Sequence, residues 1–151
     1  MAEVVTSSLQ YLSEADIAAM LEYIDSRPPT LPTEVDSLIV TPELREQQMI
    51  IGQRIYQDQC AACHGDQGEG EANVFPPLKG NELVLTASPG NAIRVVKFGG
   101  YAPSTKTYPY PFGMPPFAHQ LDANEISAVL TYIRNAWGNQ ASAVSAKEVA
   151  R

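Results

Sequence analysis

Cys60-Ala61-Ala62-Cys63-His64 is the stretch that decides how this chain is read. Two cysteines separated by two residues and followed at once by a histidine form the c-type haem attachment pattern. The spacing has a chemical reason. Two thiols on one turn of chain can each add to a vinyl group of the same haem, and the adjacent imidazole then lies under the iron. The pattern uses both cysteines of the chain and falls where a helix is expected to end.

Three other readings compete for the same residues. A zinc site would draw on Cys60, Cys63 and the two histidines, His64 and His119. His64 directly follows Cys63, however, and neighbouring residues rarely both reach one tetrahedral ion. A thioredoxin-like dithiol wants a βαβ context, and the sequence shows no such alternation. A disulfide closing so short a loop would stabilise little. Haem stands ahead of all three.

Upstream of the motif, Thr41-Pro42 reads as an N-cap followed by proline in the first turn, opening a helix that runs to about Asp58. Gly52 and Tyr56 lie one turn apart on it. A glycine inside a helix costs about 1 kcal/mol relative to alanine, so it wants a packing reason, and close approach of another helix supplies one. Downstream, residues 65–80 are rich in glycine and proline. Ser88-Pro89 starts a short helix with Ala92, Val95, Val96 and Phe98 apolar, ending at Gly99-Gly100. Residues 99–120 have neither helical nor strand period, yet carry aromatics and five prolines. A long irregular segment inside a compact domain usually has a function, and wrapping a large flat apolar cofactor is one. A last helix opens at Asp122 with Glu125 as its N3 acid. Its stripe is Ile126, Val129, Leu130, Ile133 and Trp137, and Gly138 ends it. The tail, 139–151, is small and polar and is expected to be mobile.

Before all this, residues 12–27 read as a further helix. Leu12 and Ile17 suit a hydrophobic staple, Ser13 an N-cap and Asp16 the N3 acid. Ile17, Met20, Leu21 and Ile24 share one face, Pro28-Pro29 stops the helix, and an extended linker follows over 28–42. LSEADIAAMLEYI at 12–24 aligns without gaps to LDANEISAVLTYI at 121–133, which points to an internal repeat.

Composition narrows the partners. The formal net charge of the 151 residues is −7, which argues against nucleic acid. Residues 1–59 hold ten acids and three bases, while 60–113 hold four of each and 114–151 three of each. No apolar run is long enough to cross a membrane. The N-terminus lacks a basic region followed by an apolar core, so no signal peptide is read there. Covalent haem attachment in bacteria is normally made outside the cytoplasm. A removed signal, or a longer parent chain, is therefore expected.

With these elements placed, the chain resembles class I cytochrome c over about 43–138. The resemblance rests on the Gly52/Tyr56 helix, the Cys60–His64 motif, the Pro-Leu segment, Met114 in a proline-rich loop, and a final helix with Val129 and Tyr132. The family more often has leucine at the position of Val129. The resemblance implies an all-α fold, three to five helices wrapped around one covalent haem, here with an extra N-terminal helix. It also implies that the first and last helices cross at the glycine and aromatic positions. More narrowly, the chain is similar to the last haem domain of multihaem cytochrome subunits of bacterial periplasmic dehydrogenases for alcohols and sugar acids. That division gives residues 1–33 as helix and linker, a remnant of a preceding haem domain, then 34–138 as the cytochrome domain and 139–151 as tail. Met1 then falls where a preceding domain carries its axial methionine, and an initiator methionine explains it equally well.

The expected site follows. Cys60 and Cys63 bind one haem c and His64 ligates its iron. Met114, in Gly113-Met114-Pro115-Pro116, is the sixth ligand, because prolines that fix φ hold a weak thioether in place. His119 is the rival. Met20 and Met49 read as packing residues. By resemblance, the carbonyl accepting the other His64 ring N–H lies at Pro76 or Pro77, and Pro77 is expected among the haem-binding residues. Arg94, Tyr101, Tyr108 and Tyr110 are candidates for the haem propionates. The chain is expected to be a one-electron carrier rather than an enzyme. Its expected location is the periplasm, peripheral to the inner membrane. It would pass electrons between a dehydrogenase subunit and an oxidase or another cytochrome, and it has an apolar N-terminal face suited to self-association. The alternative is a haem enzyme or ligand sensor with an open or labile sixth iron site.

Overall fold

A computed structural model describes residues 2–27 and 40–151. Met1, the Pro28-Pro29 helix stop and most of the linker expected over 28–42 lie outside the described residues. Among the described residues there are eight α-helices and one two-stranded ribbon, so the chain is all-α in class. Its contacts group it into two compact units, residues 1–33 with 101–113 and residues 34–100 with 114–151.

The larger unit is organised by two helices. Thr41 caps α3 (Pro42–Gln59) by accepting the Leu44 N–H at 3.3 Å, and Pro42 occupies the first turn. Asp122 caps α7 (Ala123–Ile133) in a reciprocal box with Glu125. The buried residues of α3 are Gln48, Gly52 and Tyr56, at helical spacing on one face. Every residue of α7 from Ile126 to Ile133 is buried. The two helices touch at Gly52. A Cβ built there would overlap the Ala128 carbonyl oxygen and stand 2.8 Å from Tyr132 Cβ. Tyr56 then stacks at 5.6 Å from Tyr132 and 4.8 Å from Trp137, centroid to centroid.

Shorter elements complete this unit. They are α4 (Ala61–His64), α5 (Glu82–Leu85), α6 (Gly90–Phe98) and α8 (Ala146–Ala150). Ile93, Val96, Phe117, Ile126, Leu130, Val144 and Val149 form one core cluster. Tyr56, Val129, Tyr132 and Ile133 form the other, with Cys60, Ala61, Leu78 and Trp137 packed on it. The short strands β1 (Gly100–Tyr101) and β2 (Gly113–Met114) pair at the ends of the 101–113 loop.

Two expectations about the larger unit need correction. The last helix stops at Ile133, not near Trp137, because its C-terminal groups find other partners. The Asn135 side chain donates to the Thr131 carbonyl at 2.8 Å and the Asn139 side chain to that of Ile133 at 2.7 Å, satisfying groups a longer helix would have used. Residues 139–151 are not a loose tail. Val144 and Val149 are core residues, and Ser145 caps α8 in a reciprocal box with Glu148. On α6 the core-facing residues are Ile93 and Val96, whereas Val95 and Phe98 are exposed.

In the smaller unit, α1 (Ala2–Ser7), a 3-10 turn (Leu9–Tyr11) and α2 (Glu14–Asp25) share contacts with the 101–113 loop. Thr6 Oγ1 donates to the Ser104 carbonyl at 3.0 Å, and the Lys106 N–H donates to Gln10 Oε1 at 3.0 Å. Ser13 caps α2 in a box with Asp16, and those hydrogen bonds from Ser13 hold the Asp16 carboxyl below its usual pKa. No residue of α2 is buried. Ile17, Met20, Leu21, Tyr23 and Ile24 are all exposed, so Met20 is not the core residue its stripe suggested.

The Gly52 crossing gives a direct test. Alanine there gains about 1 kcal/mol of helix propensity but must displace the Ala128 backbone, and overpacking costs about 1–3 kcal/mol. Chemical denaturation of Gly52→Ala should show net destabilisation at an unchanged denaturant slope. A variant at least as stable as the parent would mean that the helices separate freely at this point.

Candidate functional site

The motif sits where α3 runs out. Cys60 leaves helical geometry at φ −120° while its N–H still bonds the Tyr56 carbonyl. The single turn of α4 follows, and Gly65 ends it at φ 80°. This places both thiols and the imidazole on about one turn of chain. The thiols are not joined to each other: Cys60 is half-buried and Cys63 exposed. Burial, reinforced by the charge of Cys63, pushes the Cys60 thiol up to about 11, so it is a protonated thiol at neutral pH.

His64 Nδ1 lies 3.0 Å from the Pro76 carbonyl oxygen. A carbonyl only accepts, so Nδ1 carries the proton and Nε2 is left with its lone pair for a metal. The neighbouring carbonyl, that of Pro77, instead accepts from Asn81 Nδ2 at 2.8 Å. The partner of His64 is therefore Pro76, and Pro77 contributes a turn beside it.

The surrounding loop is tied to itself and to the helices. The Gly70 N–H donates to the His64 carbonyl at 2.7 Å, and the Leu78 and Lys79 N–H groups both donate to Gly68 O, at 2.8 and 2.9 Å. The Tyr56 hydroxyl donates to the Gly65 carbonyl at 2.5 Å. Its pKa is raised, chiefly by burial and then by the Cys60 charge, which keeps it a neutral donor.

Met114 is half-buried against the first core cluster. Gly99, at φ 69°, lets its backbone approach: a Cβ on Gly99 would overlap the Met114 carbonyl oxygen and stand 2.9 Å from Pro116 N. Two further bonds clip the segment to the end of α6, Phe117 N–H to Val96 O at 3.0 Å and Ala118 N–H to Lys97 O at 3.2 Å. The rival His119 is exposed just beyond. Met49 packs on the second core cluster, as its place in α3 suggested.

Arg94 is exposed on α6 with its guanidinium 5.9 Å from the Phe98 ring centre. Tyr101 and Tyr110 are exposed in the loop, and the buried Tyr108 hydroxyl has no hydrogen-bond partner within the described residues. Also among the described residues, no three His, Cys, Asp or Glu side chains converge as a zinc cage requires.

This donor set fits a covalent haem. Two unjoined thiols precede an imidazole whose Nδ1 donates to the Pro76 carbonyl, leaving Nε2 its lone pair. A thioether stands on a proline-stiffened segment. Leu83, Val95 and Phe98 also present exposed apolar side chains from α5 and α6, the kind of surface a porphyrin covers. Reasoning from sequence missed Asn139 and read Trp137 only as part of a helix stripe; both bear on the 65–80 loop. The signal was the break in helical pattern at Asn135-Ala136-Trp137-Gly138-Asn139.

Comparison with known proteins shows the family. The family model of cytochrome c matches residues 50–137. The chain is 33% identical over 158 residues to the cytochrome c subunit of a quinone alcohol dehydrogenase of Gluconacetobacter polyoxogenes, covering all of this chain and 34% of that subunit. It is 32% identical over 161 residues to the cytochrome c subunit of a gluconate 2-dehydrogenase of Pantoea cypripedii, covering 99% of this chain and 35% of that one. It is 39% identical over 92 residues to cytochrome c-552 of Thermus thermophilus, covering 58% of this chain and 69% of that protein. The chain thus spans about a third of the length of the dehydrogenase subunits it matches. On the family model and the motif geometry together, this chain belongs to the cytochrome c family, whose members carry electrons on a covalently bound haem iron.

Proposed function

We propose that the chain moves one electron at a time on a single haem c, held by thioethers from Cys60 and Cys63 and ligated through His64 and Met114. The observation that carries this reading is the hydrogen bond from His64 Nδ1–H to Pro76 O beside two unjoined thiols. The haem supplies the Fe(II)/Fe(III) couple. The chain's own residues set its ligation and surroundings. Pro76 fixes the His64 tautomer and raises the basicity of Nε2. Gly99, Phe117 and the prolines around Met114 hold the thioether, a ligand that raises the reduction potential. With both axial positions filled there is no place for a substrate on the iron, so the role is that of a carrier.

The match of this chain to about a third of the cytochrome c subunits of an alcohol and a gluconate dehydrogenase supports a dehydrogenase as electron donor and a respiratory oxidase or second cytochrome as acceptor. Haem attachment outside the cytoplasm supports a periplasmic site of action at the inner membrane. No described helix is long and apolar enough to cross a membrane. The segment 1–33 is, on this reading, the end of a preceding cytochrome unit, and the exposed face of α2 is a surface for self-association.

Two measurements test the ligation. Met114→Ala should lower the reduction potential and admit carbon monoxide to the ferrous iron while haem remains covalent. His119→Ala should change neither. The opposite pattern would make His119 the ligand, and carbon monoxide binding by the unaltered protein would instead indicate an open-site enzyme or sensor. Cys60→Ser and Cys63→Ser should each leave a single thioether, read as an altered pyridine haemochrome band and weaker haem staining after denaturing electrophoresis. Two full thioethers in either variant would refute the attachment.

A further inference from the structure

Just past α7, Trp137-Gly138-Asn139 turns back onto the loop that carries the Pro76 carbonyl. Asn139 is buried, and its side chain makes three hydrogen bonds. Its Oδ1 accepts the Gly80 N–H at 2.8 Å, and its Nδ2 donates to Leu78 O at 3.1 Å and to Ile133 O at 2.7 Å. An amide satisfied at both ends by the backbones of two segments fixes the spacing between them. Trp137 acts on the same loop from another point. Its ring lies over Gly68, where a Cβ would be 2.5 Å from the ring carbon Cζ3. Gly68 in turn accepts the N–H groups of Leu78 and Lys79. The loop is thus held at residues 68, 78 and 80, either side of Pro76.

Trp137 stands at φ 57°, and Gly138 follows at φ 91°. A bulky residue in the left-handed region is a genuine outlier, and such strain persists only where the surroundings over-determine it. Here they do: the ring packs on Gly68, Tyr56 and Tyr132, and Asn139 is bonded two residues later.

We propose that Trp137 and Asn139 are positioning residues for the iron's histidine ligand. They hold the 68–80 loop so that Pro76 O stays aligned with His64 Nδ1–H, and through that bond they set the electron donation of Nε2. A carbonyl that accepts firmly from Nδ1–H gives the imidazole partial anionic character, which favours Fe(III). Slackening the loop weakens the bond and raises the potential. Neither residue meets the iron. The inference rests on His64 as a ligand, and its test separates the two.

The experiment uses the holoprotein with Asn139→Ala and, separately, Trp137→Asn, a residue that tolerates φ 57° but lacks the ring. Ser145→Ala, which removes the N-cap of α8, controls for lost stability. The readouts are the reduction potential and the exchange rate of the His64 Nδ1–H in the reduced, ¹⁵N-histidine-labelled protein. Both loop variants should show a raised potential and Nδ1–H exchange at least tenfold faster, while Ser145→Ala moves neither. If Asn139→Ala does not fold, Trp137→Asn decides alone. Unchanged potential and exchange, or an equal change in Ser145→Ala, overturns the positioning role and leaves the ligand intact. If the unaltered holoprotein shows no iron-bound His64 signal, the ligand reading fails and the inference fails with it.

Discussion

The contact of α3 with α7 at Gly52 governs the rest of the larger unit. Without a side chain at Gly52 the Ala128 carbonyl reaches the α3 backbone. That close approach puts Tyr56, one turn on, fully inside against Tyr132 and Trp137. Tyr56 then reaches the Gly65 carbonyl just after the haem motif. One missing methyl group thus fixes where α3 ends relative to α7, and so where Cys60, Cys63 and His64 are presented. Packing this tight is also what makes the crossing intolerant of added volume.

The two parts of the candidate site are built differently. On the His64 side, the loop 65–80 is bonded to itself, to α3 through Tyr56, and to the segment after α7 through Asn139. On the Met114 side, the chain leaves α6 at Gly99, passes through the 101–113 loop and returns as β2, with the backbone of Val96 and Lys97 holding the residues that follow. A thioether is a weak ligand, and on the proposed ligation the position of Met114 comes from the backbone. Gly99 at positive φ and the two prolines after Met114 supply that without a side-chain bond.

Much of this was legible in the sequence because local chemistry marks it. Thr41-Pro42, Ser13 with Asp16, and Asp122 with Glu125 are capping signals that act within one turn, and each caps the helix it announced. Gly52 was conspicuous because a glycine in a helix needs a neighbour. What escaped notice depends on contacts distant in sequence. Residues 139–151 look polar, yet two valines and one capping serine suffice to fold them once Gln48 Nε2 donates to the Val144 carbonyl at 2.8 Å, across 96 positions. The choice of Pro76 over Pro77 turns on which carbonyl Asn81 occupies, and no local pattern records that. On α6, helical spacing alone does not separate a face turned to the core from one left exposed: the sequence names Ala92, Val95, Val96 and Phe98 as apolar, and only the structure assigns Ile93 and Val96 to the core.

The early stop of α7 shows how a polar cluster can do what apolar burial alone cannot. Arg134 is fully buried, and among the described residues no carboxylate is bonded to it. Its guanidinium donates to the carbonyls of Val84, Thr86 and Ser142 and to the Ser142 hydroxyl. Burial draws its pKa down while the nearby Glu148 draws it back up. A buried cation of this kind is sustained only when nearly all its donors are used, and backbone carbonyls left free at the ends of short elements are acceptors of the right geometry. Arg134 therefore gathers the end of α5, the end of α7 and the chain leading to α8 into one node. Asn139, five residues later, does the same for α7 and the 65–80 loop. If the helix had continued to Trp137, neither side chain would point where it does, and the loop around Pro76 would lack its second point of support.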